Sequence, residues 1–339
     1  MSQSKSKQRI AVENEIDNYI RNIEVISALT KVFDDYDGSS TIAKKLYRLE
    51  GSNVVTPDLV TEIGKYGFVS ESKASLPKDQ NHWIEYYQQL LKYDKVENWI
   101  DSIQNYDIVF VTETTLTRKF YKFIENQKKD ENYKFIHKLA FIDSNKEDKN
   151  IVFITLKKVH GDDLSHPDLS ERLSDGTRVA LQHIVREMNA TKFLDAHPHV
   201  VYTMEIMWDY VFFKMIDENQ IKESVKSKIS LKVNIDEVLS VMRLRCAPAS
   251  NPDLVRREWI KEALDTFGEI RIGRKNAHND LYEIYFKKPR STSSQNNVRN
   301  WLLALWLEPN KHKVNRVAEK KANDRSQSKL DRFFNPGLA

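Results

Sequence analysis

The run Tyr106-Asp107-Ile108-Val109-Phe110-Val111 constrains the fold more than any other stretch of the chain. It is a short apolar run of the kind that makes a strand buried inside a sheet, and it closes an ordered series of elements. Ile16, Tyr19, Ile20, Ile23, Ile26 and Phe33 recur at helical spacing and predict an amphipathic helix over about residues 12–33, stopped at Gly38. A short helix is expected around Ile42–Leu49. Strands follow at Val54-Val55, Leu59-Val60 and Phe68–Leu76, with Lys65-Tyr66-Gly67 as the turn between the last two. Trp83–Ile100 returns to a helical period, and Leu116–Gln127 repeats it beyond the buried run. Phe135–Ile142 and Ile151–Val159 then read as a hairpin. Helix, three strands, helix, strand is the order of a mixed α/β domain over about residues 10–160.

The second half reads differently. His160–Pro167 is a candidate boundary, and helices are expected at Thr177–Phe193, Met204–Ile216, Ile235–Arg245 and Leu254–Phe267. Asn251-Pro252-Asp253 supplies the start signal of the last. Strands at Glu269–Gly273 and Leu281–Lys287 flank a polar turn, and helices followed by such a hairpin suggest a winged-helix-like domain. Residues 311–326 are polar, basic and aperiodic, as in a tether. The 339 residues carry a net charge of only +4, so the distribution of charge matters more than its sum. No run approaches the ~18–20 apolar residues of a membrane span, and the polar N-terminus carries no secretory signal. The lone Cys246 permits neither an intrachain disulfide nor a cysteine metal cluster, and reads as a small buried hydrophobe. An intracellular protein is expected.

The chemistry concentrates in Thr56-Pro57-Asp58-Leu59-Val60 and Gly67-Phe68-Val69-Ser70-Glu71-Ser72-Lys73-Ala74. On a strand, Glu71 and Lys73 share one face while Phe68, Ser70 and Ser72 share the other. Asp58, at the start of the preceding strand, would set its carboxylate beside Glu71. Two close carboxylates repel unless a positive charge lies between them, and a hard divalent cation such as Mg²⁺ suits their oxygens. A cation held there polarises a phosphoryl oxygen and acidifies a bound water. Lys73 would hold that water or stabilise developing negative charge. This is equipment for hydrolysing a phosphodiester.

At these residues the chain resembles the PD-(D/E)XK nuclease superfamily, with Pro57-Asp58 as PD and Glu71-Ser72-Lys73 as EXK. The resemblance implies a restriction-endonuclease-like α-β-β-β-α-β core and an Mg²⁺- or Mn²⁺-dependent deoxyribonuclease acting in repair or replication-fork processing. It implies Asp58, Glu71 and the Ser72 carbonyl as metal ligands and Lys73 as the residue serving the attacking water. A Glu from the first helix often completes such sites, and Glu24 is the first candidate; Glu50, just before the first expected strand, is the second. Gln89-Leu90-Leu91-Lys92-Tyr93 is similar to the Q-x-x-x-Y element of the RecB-like branch, whose Gln and Tyr reach the active site or the DNA. The expected organisation is a nuclease domain over 1–160, a helical linker over 161–200 and a winged-helix-like domain over 201–290. A helix and basic tether follow over 291–326.

Arg256, Arg257 and Lys261 on one helix, with Arg271, Arg274, Lys275, His278, Lys287, Lys288 and Arg290 on the hairpin, would track DNA phosphates, although Glu258 and Glu262 dilute their field. His160, His166, His197 and His199 fit no helix face and read as loop residues. The tail Gln327-Ser328-Lys329-Leu330-Asp331-Arg332-Phe333-Phe334 sets two adjacent aromatics in a polar segment. It looks like the PIP-box peptide that docks on PCNA-type sliding clamps, with Gln327, Leu330, Phe333 and Phe334 as its anchors (residues 327–334). Such clamps belong to archaea and eukaryotes. Without an obvious nuclear import cluster the chain fits an archaeon better, which would place it in cytoplasm or nucleoid. Two alternatives stay open: a non-catalytic clamp-associated DNA-binding protein, and a restriction endonuclease. Oligomeric state and preferred DNA structure are not legible.

Overall fold

The computed structural model describes residues 2–45, 47–48, 54–73, 76, 81–96, 99, 105–128, 134–148, 151–181, 191–212, 215, 229–248, 250–276, 281–286 and 295–307. The protein is of mixed α/β class. Its described residues form two compact units, one drawn from Val12–Pro198 and Leu239–Arg256, the other from Met1–Ala11, His199–Val238 and Arg257–Ala339.

Helix α1 (Ser2–Asp34) leads into the first unit. Ile16, Ile23, Ile26, Leu29 and Phe33 are buried along one stripe, the periodicity its sequence announces. Strands β1 (Ser39–Ala43), β4 (Leu59–Ile63) and β5 (Tyr66–Lys73) pair antiparallel in that order. Between β1 and β4, β2 (Tyr47–Arg48) and β3 (Val54–Val55) make a separate two-stranded ladder. Helix α2 (Asn81–Tyr93) carries the chain to β6 (Tyr106–Glu113), which runs parallel to β5. Helix α3 (Thr114–Gln127) leads to β7 (Leu139–Asp148), parallel to β6. Strands β8 (Val152–Gly161) and β9 (Thr177–Ala180) continue antiparallel, with α4 (Pro167–Asp175) between them, completing a seven-stranded sheet.

The alternation in β5 decides what covers each face. Phe68 stacks on Phe33 of α1 with ring centroids 5.5 Å apart. Val69 belongs instead to a core with Trp83, Tyr87 and Leu90 of α2, Phe110 of β6, and Phe120 and Ile124 of α3. Burying a ring of that size stabilises by about 1.5–3 kcal/mol. Glu71 and Lys73 follow Val69 by alternation, so they lie on the α2 face of the sheet, at the end of β5.

Several expected elements differ. The helix expected around 42–49 is the edge strand β1 and then β2. The β-branched Thr41 and Ile42 pair across β4 with Thr61 and Val60, and Lys44 adopts φ +51°, which no helix accepts. The antiparallel trio therefore begins with β1, not with Val54-Val55. The turn before β5 falls at Gly64-Lys65, because Gly64 supplies the φ of +58° that a two-residue hairpin needs. Thr177–Ala180 extends as strand β9 where a helix was expected, since Thr177 and Val179 find partners on β8. The helical linker expected over 161–200 thus supplies α4 and an edge strand of the large sheet.

The second unit holds α5 (Val200–Ile206), continued by a π-helical turn (Met207–Phe212), and strand β10 (Ile229–Asn234). Helix α6 (Ile235–Cys246) passes from this unit into the first at Val238. Helix α7 (Arg257–Glu269), β11 (Gly273–Lys275), β12 (Leu281–Phe286) and α8 (Gln295–Leu307) complete it. Its sheet order is β10-β12-β11. Trp208 is its anchor, with Trp301 at 5.2 Å and Phe267 at 6.2 Å. The strand expected at 269–273 starts only at Gly273, because α7 runs on through Glu269, and β10 was not foreseen at all.

Candidate active site

Asp58 precedes β4 and is fixed there by main-chain bonds. Its N–H donates to the Ser70 carbonyl at 3.0 Å, and its carbonyl accepts from Lys44 N–H at 3.0 Å. The pairing of Leu59 with Ser70 then sets Asp58 across from Glu71. Both residues are buried, at 3% and 2% exposure. Asp58 Oδ2 accepts the Ser72 N–H at 2.5 Å, while Oδ1 accepts from the ammonium of Lys44. Burial first, and the Glu71 charge second, push the Asp58 carboxyl up to about 6.

Glu71 is held from three directions. Its Oε1 accepts from Lys73 Nζ at 2.5 Å and from Gln89 Nε2 at 3.1 Å; its Oε2 accepts from the Tyr93 hydroxyl at 2.6 Å. Gln89 and Tyr93 are one helical turn apart on α2 and bond each other at 2.6 Å. Their helix packs by Trp83, Tyr87 and Leu90, which turns these two polar groups onto the carboxylate. Burial, then Glu71, raises the Tyr93 phenol well above its usual value, so it remains a donor. The Lys73 ammonium also sits 5.3 Å above the Tyr86 ring. Burial alone would lower Lys73, but Glu71 and Asp58 outweigh it and keep it charged.

The expected residues Asp58, Glu71, Ser72, Lys73, Gln89 and Tyr93 therefore meet in one cluster. Glu24 is not in it: both its oxygens accept from Lys146 Nζ, at 2.8 and 2.7 Å. Lys146 alternates onto the face of β7 opposite Asp143, which shares a row with Lys73, so Glu24 is drawn to the far side of the sheet. Glu50 lies outside the described residues.

Lys44 and Asp195 escaped the sequence reading. Lys44 is 5% exposed and shares its ammonium between Asp58 and Asp195, the latter at 2.9 Å. Burial would lower it, but Asp58, Glu71 and Asp195 together raise it. No local signal marks either residue. Lys44 stands in a Lys-Lys pair and Asp195 is far along the chain. The donor set suits a hard cation in kind, since Asp58, Glu71 and the Ser72 carbonyl all offer oxygen. Among the described residues no group of three or more His, Cys, Asp or Glu is arranged to hold a metal. Any cation here would rest on two carboxylates, a main-chain oxygen and water, as Mg²⁺ sites commonly do.

Comparison with protein-family models, curated proteins and solved structures finds no match.

The expected DNA-contacting residues are spread over different elements. Arg256 reaches the Asp195 carbonyl at 3.5 Å. Arg257 opens α7 and bonds Asp236 at 3.0 Å. Arg271 is exposed in the turn after α7, at φ +61°. Arg274 faces Glu283 across the β11–β12 ladder and bonds it at 2.6 Å, and Lys275 lies 5.4 Å above the Tyr282 ring. His166 and His199 cap α4 and α5, each accepting a main-chain N–H at 3.2 Å, and His160 stacks on Tyr121. Cys246 is buried, and burial pushes its thiol up to about 12. Among the described residues no helix is long and apolar enough to cross a membrane. Gln327, Leu330, Phe333 and Phe334 lie outside the described residues, as does the tether before them.

Proposed function

We propose that the chain is a metal-dependent DNA nuclease of the PD-(D/E)XK type, brought to DNA by a PCNA-type sliding clamp. One observation carries the reading: Asp58, just before β4, and Glu71, on the neighbouring β5, stand buried with the Lys73 ammonium 2.5 Å from Glu71. The succession of α1, the antiparallel trio β1-β4-β5, α2 and the parallel β6 supports it, because that is the family's core order. Asp58, Glu71 and the Ser72 carbonyl would hold Mg²⁺ or Mn²⁺, which when bound supplies a Lewis acid and a more acidic water.

The chain's own residues do the rest. Lys73 stabilises negative charge gathering on the phosphate and orients the attacking water. Gln89 and Tyr93 fix the Glu71 rotamer, as outer donors do for ligating carboxylates. Within the second unit, the sheet order β10-β12-β11 and the succession of α7, β11 and β12 support a winged-helix-like role on duplex DNA for α7 and the hairpin. The clamp assignment rests on the terminal Gln-x-x-Leu-x-x-Phe-Phe pattern alone.

A second reading has its own observation. Every oxygen of Asp58 and Glu71 already accepts from a protein donor, which suits a charge-compensated scaffold that grips DNA without cutting it. Purified protein incubated with labelled single-stranded, duplex and branched DNA, with Mg²⁺ or Mn²⁺, separates the two. Cleavage is expected, is abolished by chelator, and falls at least ~100-fold in Asp58→Ala, Glu71→Ala and Lys73→Ala. No cleavage of any substrate, or cleavage that survives chelation, rejects the nuclease.

A further inference from the structure

Lys44 combines features that rarely coincide. It is a non-glycine residue at φ +51°, in the left-handed region. Such backbone persists only where the surroundings over-determine it, and it clusters at functional sites. The surroundings do so here. The Lys44 N–H donates to the Asp58 carbonyl at 3.0 Å, and its own carbonyl accepts from the Asn251 side-chain amide. The Ala43 carbonyl before it accepts from Ser250 Oγ at 2.9 Å. The chain is thus bent and clamped so that one buried ammonium arrives between two carboxylates.

Those carboxylates differ. The Asp58 side chain is 4% exposed, the Asp195 side chain 47%. Asp195 is nevertheless well placed. The segment before it is tied down by Lys192 N–H to the Cys246 carbonyl at 2.8 Å and by Leu194 N–H to the Tyr19 hydroxyl at 2.7 Å. A buried ammonium cannot be left without a partner, since an uncompensated interior charge is strongly destabilising. With Asp195 in reach, Lys44 can release Asp58 and remain paired.

We propose that Lys44 is a resident counter-cation that occupies Asp58 Oδ1 until a divalent cation takes its place, and that Asp195 receives the ammonium when it does. The inference rests on the nuclease reading, in which Asp58 is a metal ligand, and makes Lys44 and Asp195 positioning residues. Lys44 keeps two buried carboxylates compatible with folding before the cation arrives, and it competes with that cation for one oxygen. Like charges a few ångströms apart repel, so the ammonium sets how tightly the cation is held. Asp195 tips the balance towards loading.

The two substitutions should act in opposite directions. Mn²⁺ binding to the full chain is measured by paramagnetic resonance and by calorimetry at about pH 8, well above the ordinary carboxylate range. Lys44→Met removes the competitor and should tighten binding about tenfold. Asp195→Asn strands Lys44 on Asp58 and should weaken binding about tenfold, within the usual ~10–100-fold reach of residues behind the ligands. In the Lys44→Met background, Asp195→Asn should change affinity by less than ~2-fold, because the two act through one contact. Asp58→Asn should abolish binding. A wild-type chain that binds no Mn²⁺ overturns both this inference and the nuclease reading. Binding that depends on Asp58 but is weakened or unchanged by Lys44→Met overturns this inference alone. Circular dichroism checks each fold; should Lys44→Met not fold, Asp195→Asn decides, and unchanged affinity there refutes the exchange.

Discussion

Tyr93→Phe removes a single oxygen from the site and leaves its packing in place. The Tyr93 ring is fully buried and meets Trp99 at 5.7 Å, contacts that Phe retains. What disappears is the hydroxyl 2.6 Å from Glu71 Oε2, the donor to that oxygen. Gln89 and Lys73 both bond Oε1, so neither replaces it without turning the carboxylate. A hydrogen bond to a charged group contributes about 1.5–3 kcal/mol, and leaving a buried acceptor unsatisfied draws on the upper part of that range. At roughly 2–4 °C per kcal/mol for a body of this size, thermal unfolding should shift down by about 3–12 °C. Differential scanning calorimetry reads the shift directly. Tyr93→Phe and Gln89→Leu act on one carboxylate, so their combined loss should depart from additivity by about 0.5–3 kcal/mol. A Phe variant that melts with the wild type, and whose effects add with those of Gln89→Leu, would refute the idea that α2 holds Glu71.

Three further expectations follow from particular contacts. The folded Asp58 carboxyl, at about 6, lies above its ordinary 3.8, so the folded chain takes up a proton there that the unfolded chain does not. Folding stability from this group is complete below about 4 and is lost as pH rises through 6; urea titrations of Asp58→Asn should lack that component, and an identical pH profile would contradict it. Arg271→Glu should weaken duplex binding and lower the log–log salt slope by about 0.9 per lost phosphate contact, read by fluorescence anisotropy; an unchanged slope removes Arg271 and the turn after α7 from the DNA contact. Phe333→Ala with Phe334→Ala should abolish clamp binding by calorimetry while cleavage of short naked DNA stays the same, since buried aromatic anchors dominate small interfaces at ~2–4 kcal/mol each; retained clamp binding removes the peptide from the account.

What the sequence disclosed and what it hid divide along a physical line. The face shared by Glu71 and Lys73 was readable because strand alternation is a local rule that needs only three residues of chain. Gln89 and Tyr93 were readable for the same reason, since one turn of helix brings them to one side. Strand β1 was not. Ser39–Ala43 carries no alternating apolar pattern strong enough to compete with a helical reading, and only its ladder with β4 makes it a strand. Strand β9 failed alike, its Thr177 and Val179 being strand-forming only beside β8. Lys44 is the deepest case. Nothing in Thr-Ile-Ala-Lys-Lys foretells a positive φ or a buried ammonium. Both depend on Asn251 and Ser250, some two hundred positions away, and on Asp195. Glu24 shows the converse error. A helix stripe tells which residues turn towards the sheet but not which strand they meet, and Lys146 of β7 claimed the carboxylate. Local periodicity can therefore nominate the reactive pair. The charges that tune the pair arrive through contacts between distant segments, and only the folded chain reveals them.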